Sequence, residues 1–311
     1  MRFDARLTLP ATPGRRRPAI LGSDTRSRAG PLTEEKAMDG TTTTAAAGTP
    51  TIQPHNERAA AVWSSGGRDY EEIIRGVCDG IDATVAGLAP RPGERILDVA
   101  TGTGITARAC ARRGAQVTGV DIAAGLLDAA RTLSDGLAID YRLGDAEALP
   151  FADASFDAVV STFGVMFVSR PEAAARELAR LCRPGGRLAL ATWTPDGAIA
   201  RMFAVMRPYM AAPPAVSPFD WGRPERLEEL LGDAFELTIR TETSHYVESS
   251  GEAAWTTFVT GYGPTRTLAA SLDEERRAAL KRDFVAFHER HREGGGIHLP
   301  RTFVLTLGTR R

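Results

Sequence analysis

The chain has 311 residues, 43% of them hydrophobic and 25% charged, with 38 Lys plus Arg against 39 Asp plus Glu. Such a composition suits a soluble globular protein with a substantial core and excludes collagen-like, fully disordered and disulfide-scaffold chains. A net charge of -1 gives no global field toward nucleic acid or an anionic membrane, so neither is an expected partner. Cys78, Cys110 and Cys182 are scattered and form no CxxC pair, which fits a reducing cytoplasm and predicts no zinc or redox site. No run approaches the roughly 20 apolar residues of a membrane span, and no secretory pattern opens the chain. The expected location is cytoplasmic.

Residues 1–52 form a separate compositional zone, with Arg15, Arg16 and Arg17 between prolines, then the Thr41 to Thr44 and Ala45 to Ala47 runs. Without a helical or strand period they read as a disordered extension, and Met38 is an alternative start. From Arg68 the apolar residues Tyr70, Ile73, Ile74, Val77, Ile81 and Val85 recur at three and four, predicting one helix that ends near Pro90. Five strands, with three helices among them, follow. Strands are expected at Arg95 to Val99, Gln116 to Val120, Ile139 to Leu143, Phe156 to Ser161 and Arg187 to Thr192. Helices are expected at Ile105 to Arg113, at Ala124 to Leu133, and between Pro171 and the Pro184-Gly185-Gly186 turn.

After Trp193 the rhythm breaks. Helices are expected at Ala198 to Met210, Arg226 to Leu231, Glu252 to Thr260 and Asp273 to Glu293, and late strands at Phe235 to Val247 and Arg301 to Leu307. Strands separated by single helices require a parallel sheet with right-handed crossovers, covered on both faces. The predicted fold is a doubly wound, Rossmann-like α/β domain spanning 53–311, with a seven-stranded, mainly parallel sheet and helices on both faces. Its expected parts are a core at 91–195, insertions forming a lid with the N-terminal helix at 196–300, and a closing strand at 301–308.

In such sheets ligands bind beyond the carboxyl ends of the strands, where strand order reverses. The first loop there contains Asp98, Ala100, Gly102 and Gly104, with Ala107 completing G-x-G-x-x-A, a fingerprint that is weak alone. Its glycines let the backbone approach a ligand and turn into a helix whose free N–H groups favour an anion. Asp121 ends the second strand, at the distance where a carboxylate reaches the cis-diol of an adenosine ribose. The competing reading makes it a helix cap.

Four segments together carry a resemblance: ILDVATGTG at Ile96 to Gly104, VTGVDIAAGLLDAA at Val117 to Ala130, GDAEALPFADASFDAVVSTFGVMFV at Gly144 to Val168, and ELARLCRPGGRLALATW at Glu177 to Trp193. In this order the chain resembles the class I S-adenosylmethionine-dependent methyltransferases of the methyltransferase 11 type. The resemblance implies S-adenosyl-L-methionine as cofactor. It implies that Asp98, Gly102 and Gly104 face its methionine end, that Asp121 binds both ribose hydroxyls and that Ile122 packs on the adenine. It further implies that Asp145 accepts from the adenine amino group, that the Ala146 N–H meets a ring nitrogen, and that Ser161 and Thr162 line the methionine end. Ala100 replaces the commonest glycine and is tolerated if its φ is negative.

A dinucleotide would be repelled by the Asp98 carboxylate ahead of the loop, whereas a sulfonium zwitterion would not. A scaffold that binds the cofactor without catalysis is the alternative from another class. Phe163, Met166, Phe167, Phe219 and Trp221 suggest a small, partly apolar acceptor such as a natural product or quinone-type metabolite. Trp63 and Tyr70 are candidates for the lid, equally for packing. His245 could swing over the pocket as a base, and His288 and His291 share a helix face, but the sequence names no catalytic residue, metal site or oligomeric state.

Overall fold

The computed structural model describes residues 52–212 and 214–311; the expectation of a disordered extension falls almost wholly outside them. A short turn at Pro54–Asn56 leads into helices α1 (Glu57–Ser64), α2 (Tyr70–Arg75) and α3 (Cys78–Leu88). The alternating unit follows as β1 (Arg95–Val99), α4 (Ile105–Ala111), β2 (Gln116–Asp121), α5 (Ala124–Leu133), β3 (Ile139–Leu143), β4 (Phe156–Thr162), α6 (Pro171–Leu181) and β5 (Cys182–Trp193). The late part comprises α7 (Ala198–Met206), α8 (Pro224–Leu231), β6 (Phe235–Glu248), α9 (Gly251–Gly261), α10 (Gly263–Ser271), α11 (Glu274–Glu289), β7 (Arg292–Glu293) and β8 (Gly296–Arg310).

The sheet runs β3-β2-β1-β4-β5-β8-β6, and the two-residue β7 pairs with β8 as a hairpin. β1 to β5 are parallel, and β8 is antiparallel to both β5 and β6. This is the doubly wound, mainly parallel sheet read from the sequence, with β7 as an eighth, minimal strand. Ile96, Leu97, Val99, Val159, Val160, Leu188 and Leu190 are buried between two helical layers, as strands covered on both faces must be. Strand order reverses between β1 and β4. The register pairs Asp98 with Gly119 on one side and with Val160 on the other, so Val99, Asp121 and Thr162 end side by side at one edge.

The structure corrects several boundaries. The single helix expected from Arg68 is broken between α2 and α3. The Gly80 N–H that would continue the ladder goes to Asp79 Oδ1 at 2.8 Å, and the Gly76 carbonyl accepts from Arg301 of β8. β5 begins five residues early because Cys182 pairs with Phe156 before the Pro184–Gly186 stretch bulges and pairing resumes at Arg187. α10 was not foreseen. Gly261 precedes it and Gly263 opens it, and both let this segment lie directly against the backbone of residues 62–69.

Candidate active site

The loop after β1 is held from beneath by two buried carboxylates. Asp98 Oδ2 accepts from Thr101 Oγ1 at 2.5 Å, and Oδ1 has no hydrogen-bond partner among the described residues. Asp121 Oδ2 accepts from the Gly102 N–H at 2.8 Å and Oδ1 from the Ala123 N–H at 2.8 Å. Burial raises Asp98 to about 7, an effect partly offset by the Thr101 hydroxyl. Burial likewise raises Asp121 to about 6, against the pull of its backbone donors.

Gly102 and Gly104 adopt positive φ of 57° and 81°, and a Cβ on Gly104 would collide with the Tyr141 hydroxyl. These glycines are required by conformation and by space. Ala100 corrects an expectation: its φ is 55°, in the left-handed region, where a Cβ costs on the order of 1 kcal/mol. Phe163, directly after β4, also sits at φ 55°, an outlier for a bulky side chain. It is held there by its N–H on Ala191 O at 2.8 Å and by stacking on Trp193 with centroids 4.0 Å apart. Strained backbone thus meets at the switch point from two sides.

Above this floor lies a cavity bounded by three walls and a cover. Ala100, Thr101, Gly102 and Ile105 form one wall, and Asp121, Ile122, Leu126, Gly144, Asp145 and Ala146 form a second. Thr162, Phe163, Gly164, Phe167 and Val168 after β4 form a third, and Asn56, Ala59, Trp63, Tyr70 and Ile74 of the N-terminal helices cover it. Of the residues expected from the sequence, Ala100, Gly102, Asp121, Ile122, Asp145 and Ala146 face this space. Asp98, Gly104 and Ser161 lie behind the wall. Ser161 Oγ donates to Val99 O at 2.7 Å and accepts from the Val165 N–H at 3.0 Å, so it ties β4 to β1, and Thr162 is the residue that reaches the cavity.

Asp145 is a latch as well as a lining group. Its Oδ2 accepts from the Gln53 N–H at 3.0 Å and from Asn56 Nδ2 at 2.9 Å, and its Oδ1 from the Glu147 N–H at 3.0 Å. His55 Nε2 meets Glu147 Oε2 at 2.7 Å beside it. The segment before α1 is therefore fastened over the wall formed by Gly144, Asp145 and Ala146, and no sequence signal flagged Asn56 for that role. Trp63 and Tyr70 both line the cavity, and burial first, then Asp121, pushes the Tyr70 phenol well above its ordinary range.

Other candidates fall elsewhere. His245 is exposed, with Nδ1 3.9 Å from Asp79 on the outer side of β6, and does not line the cavity. His288 is wholly buried with Nδ1 on Phe284 O at 2.9 Å. Met166 and Trp221 are core residues, whereas Phe167 stays at the cavity. Among the described residues no helix is long and apolar enough to cross a membrane.

A crevice at the switch point of a doubly wound sheet, with a glycine loop, an acid after β2 and another after β3, defines a nucleoside-cofactor enzyme. The family model described as a methyltransferase domain matches residues 97–190. The protein Rv1405c of Mycobacterium tuberculosis is 37% identical over 232 residues, 72% of this chain and 83% of its own length. A demethylmenaquinone methyltransferase of Corynebacterium kroppenstedtii is 35% identical over 143 residues, 44% of this chain and 61% of that protein. The crystal structure of the YcgJ protein from Bacillus subtilis shares the fold with a TM-score of 0.51 at 18% identity, covering 74% of this chain and 97% of that one. The chain belongs to the class I S-adenosylmethionine-dependent methyltransferases.

Proposed function

We propose that the cavity binds S-adenosyl-L-methionine against the walls after β1, β2 and β3 and delivers its methyl group to a small, partly apolar acceptor, such as a quinone-type or natural-product ring, seated toward Trp63, Phe163 and Phe167. The observation that carries the reading is the free acceptor capacity of the buried carboxylates. A carboxylate oxygen accepts two hydrogen bonds. Each oxygen of Asp121 receives one strong backbone bond, which leaves one position apiece for two ribose hydroxyls. Asp145 Oδ2 is filled by Gln53 and Asn56, and Oδ1 keeps a position for an adenine amino group beside the Ala146 N–H. Asp98, behind the wall at the base of the loop carrying Gly102 and Gly104, serves by holding that loop through Thr101.

When bound, this cofactor supplies an electrophilic methyl on a positively charged sulfur. The chain's own contribution is alignment and exclusion of water: the fixed loop orients one reactant, and the aromatic lid holds a flat apolar acceptor in a dehydrated space. Apolar and aromatic lining toward α1 and the loop after β4 favours such an acceptor over a polyanion. The demethylmenaquinone methyltransferase likeness adds weight to a quinol-type ring. Incubation with methyl-labelled S-adenosylmethionine and a panel of naphthoquinols, benzoquinols and polycyclic phenols tests the proposal. Label is expected on at least one ring acceptor; label confined to nucleic acid or protein would overturn it.

A further inference from the structure

Three buried side chains outside the cavity close a ring around its glycine loop. Glu71 of α2 accepts from Arg108 Nη2 of α4 through Oε1 at 2.7 Å and from Thr103 Oγ1 through Oε2 at 2.6 Å; Arg108 Nη1 returns to the Thr103 carbonyl at 2.5 Å. Glu71, Thr103 and Arg108 are 7%, 1% and 4% exposed. Thr103 stands between the two positive-φ glycines, Gly102 and Gly104. An ion pair this deep is not a general source of stability, because desolvation offsets the attraction and an apolar replacement of similar shape is often as stable. What it fixes is geometry: two charges and one hydroxyl satisfy one another only while α2, α4 and the loop keep one arrangement.

The same helix α2 brings Tyr70 and Ile74 to the cavity, and the Tyr70 ring lies 3.3 Å from where a Cβ on Gly102 would stand. From the other side the loop is tied to Asp98 through Thr101 and to Asp121 through the Gly102 N–H. The loop is thus gripped from below by the sheet and from above by the lid.

We infer that Glu71 and Arg108 are positioning residues for the cofactor, a clamp through which docking of α2 sets the shape of the Gly102–Gly104 loop and hence its affinity. Neither touches the cavity, so their effect passes through Thr103. The inference rests on the proposed cofactor site, and binding of S-adenosylhomocysteine by the full-length wild type checks that site independently. Displacing a binding loop by a fraction of an ångström costs affinity on the order of tenfold.

The experiment is calorimetric titration of wild type, Thr103→Val, Thr103→Ser and Glu71→Gln with S-adenosylhomocysteine, alongside thermal melts without ligand. Thr103→Val removes the hydroxyl at nearly constant volume and is expected to weaken binding about tenfold and, by leaving a buried Glu71 oxygen one bond short, to lower the melting temperature. Thr103→Ser, which keeps the donor, should restore wild-type affinity. Glu71→Gln should weaken binding at least as much if it folds, and Thr103→Val decides the question if it does not. Equal affinity of wild type and Thr103→Val, or a loss that Thr103→Ser fails to rescue, overturns the clamp. Absence of binding by the wild type overturns the cofactor site itself.

Discussion

The carboxylates beneath the loop make the site pH-dependent in a defined direction. Under the proposed function Asp121, at about 6, must be ionised to accept from two hydroxyls, and Asp98, at about 7, acts on the site through the loop it holds by Thr101. The dissociation constant for the cofactor is therefore expected to be flat above pH 8, to rise as pH falls through 7, and to steepen toward about tenfold per pH unit per proton below 6. For stability the sign is opposite. A carboxyl whose folded pKa lies above its unfolded value stabilises most below the unfolded pKa, near 4, and loses that contribution as pH rises through 6 to 7. Asp98→Asn, which retains an acceptor for Thr101, is expected to melt no lower than wild type at pH 8 while losing the upper break in the binding profile. A lower melting temperature together with an unchanged profile would contradict this. Asp121, Asp145 and the glycines were legible as residue types at known spacing. The positive φ of Ala100 was not, because a small side chain in a strained position leaves no trace in composition or period.

Among the elements, β1, β2 and β4 were legible from their apolar runs and β3 from its alternating IDYRL pattern before Gly144, and the helices between them end at Gly or Pro turns. The late insertion was harder to read. α10 begins beside two glycines whose purpose is close approach: a Cβ on Gly263 would collide with the Val62 carbonyl, and one on Gly261 with the Asp69 carbonyl. Such backbone contact between α1 and the α9–α10 corner is a tertiary fact that period cannot signal. Because α1 carries Ala59 and Trp63 to the cavity, this contact couples the insertion to the site. Gly263→Ala is expected to destabilise the protein by about 1–3 kcal/mol through overpacking and to weaken cofactor binding by displacing α1. Chemical denaturation with parallel titration checks both, and a variant as stable and as tight as wild type would show that the corner yields freely. The break between α2 and α3 was likewise hidden, since it depends on Arg301 of a distant strand taking the Gly76 carbonyl.

At the scale of the whole molecule, the sheet order places the cavity at the point where β1 and β4 diverge. β8, antiparallel between β5 and β6, completes the sheet from the far end of the chain. N-terminal helices close the crevice from above; the aromatic contact Trp63–Tyr262 joins that cover to the end of α9, and Phe167–Phe203 joins the wall after β4 to α7. The architecture was readable because alternation dictates it; a lid from the N-terminal helix and late insertions was expected too, but not the contacts that join them, because these link segments more than a hundred residues apart. The central claim is that this crevice is built for an adenosine with a charged sulfonium tail rather than for a dinucleotide. Its most direct test is calorimetric titration of the full-length protein with S-adenosylmethionine, S-adenosylhomocysteine and NADH in parallel. Saturable one-to-one binding of the first two with none of the third is predicted; binding of NADH alone, or of none of the three, would contradict the account.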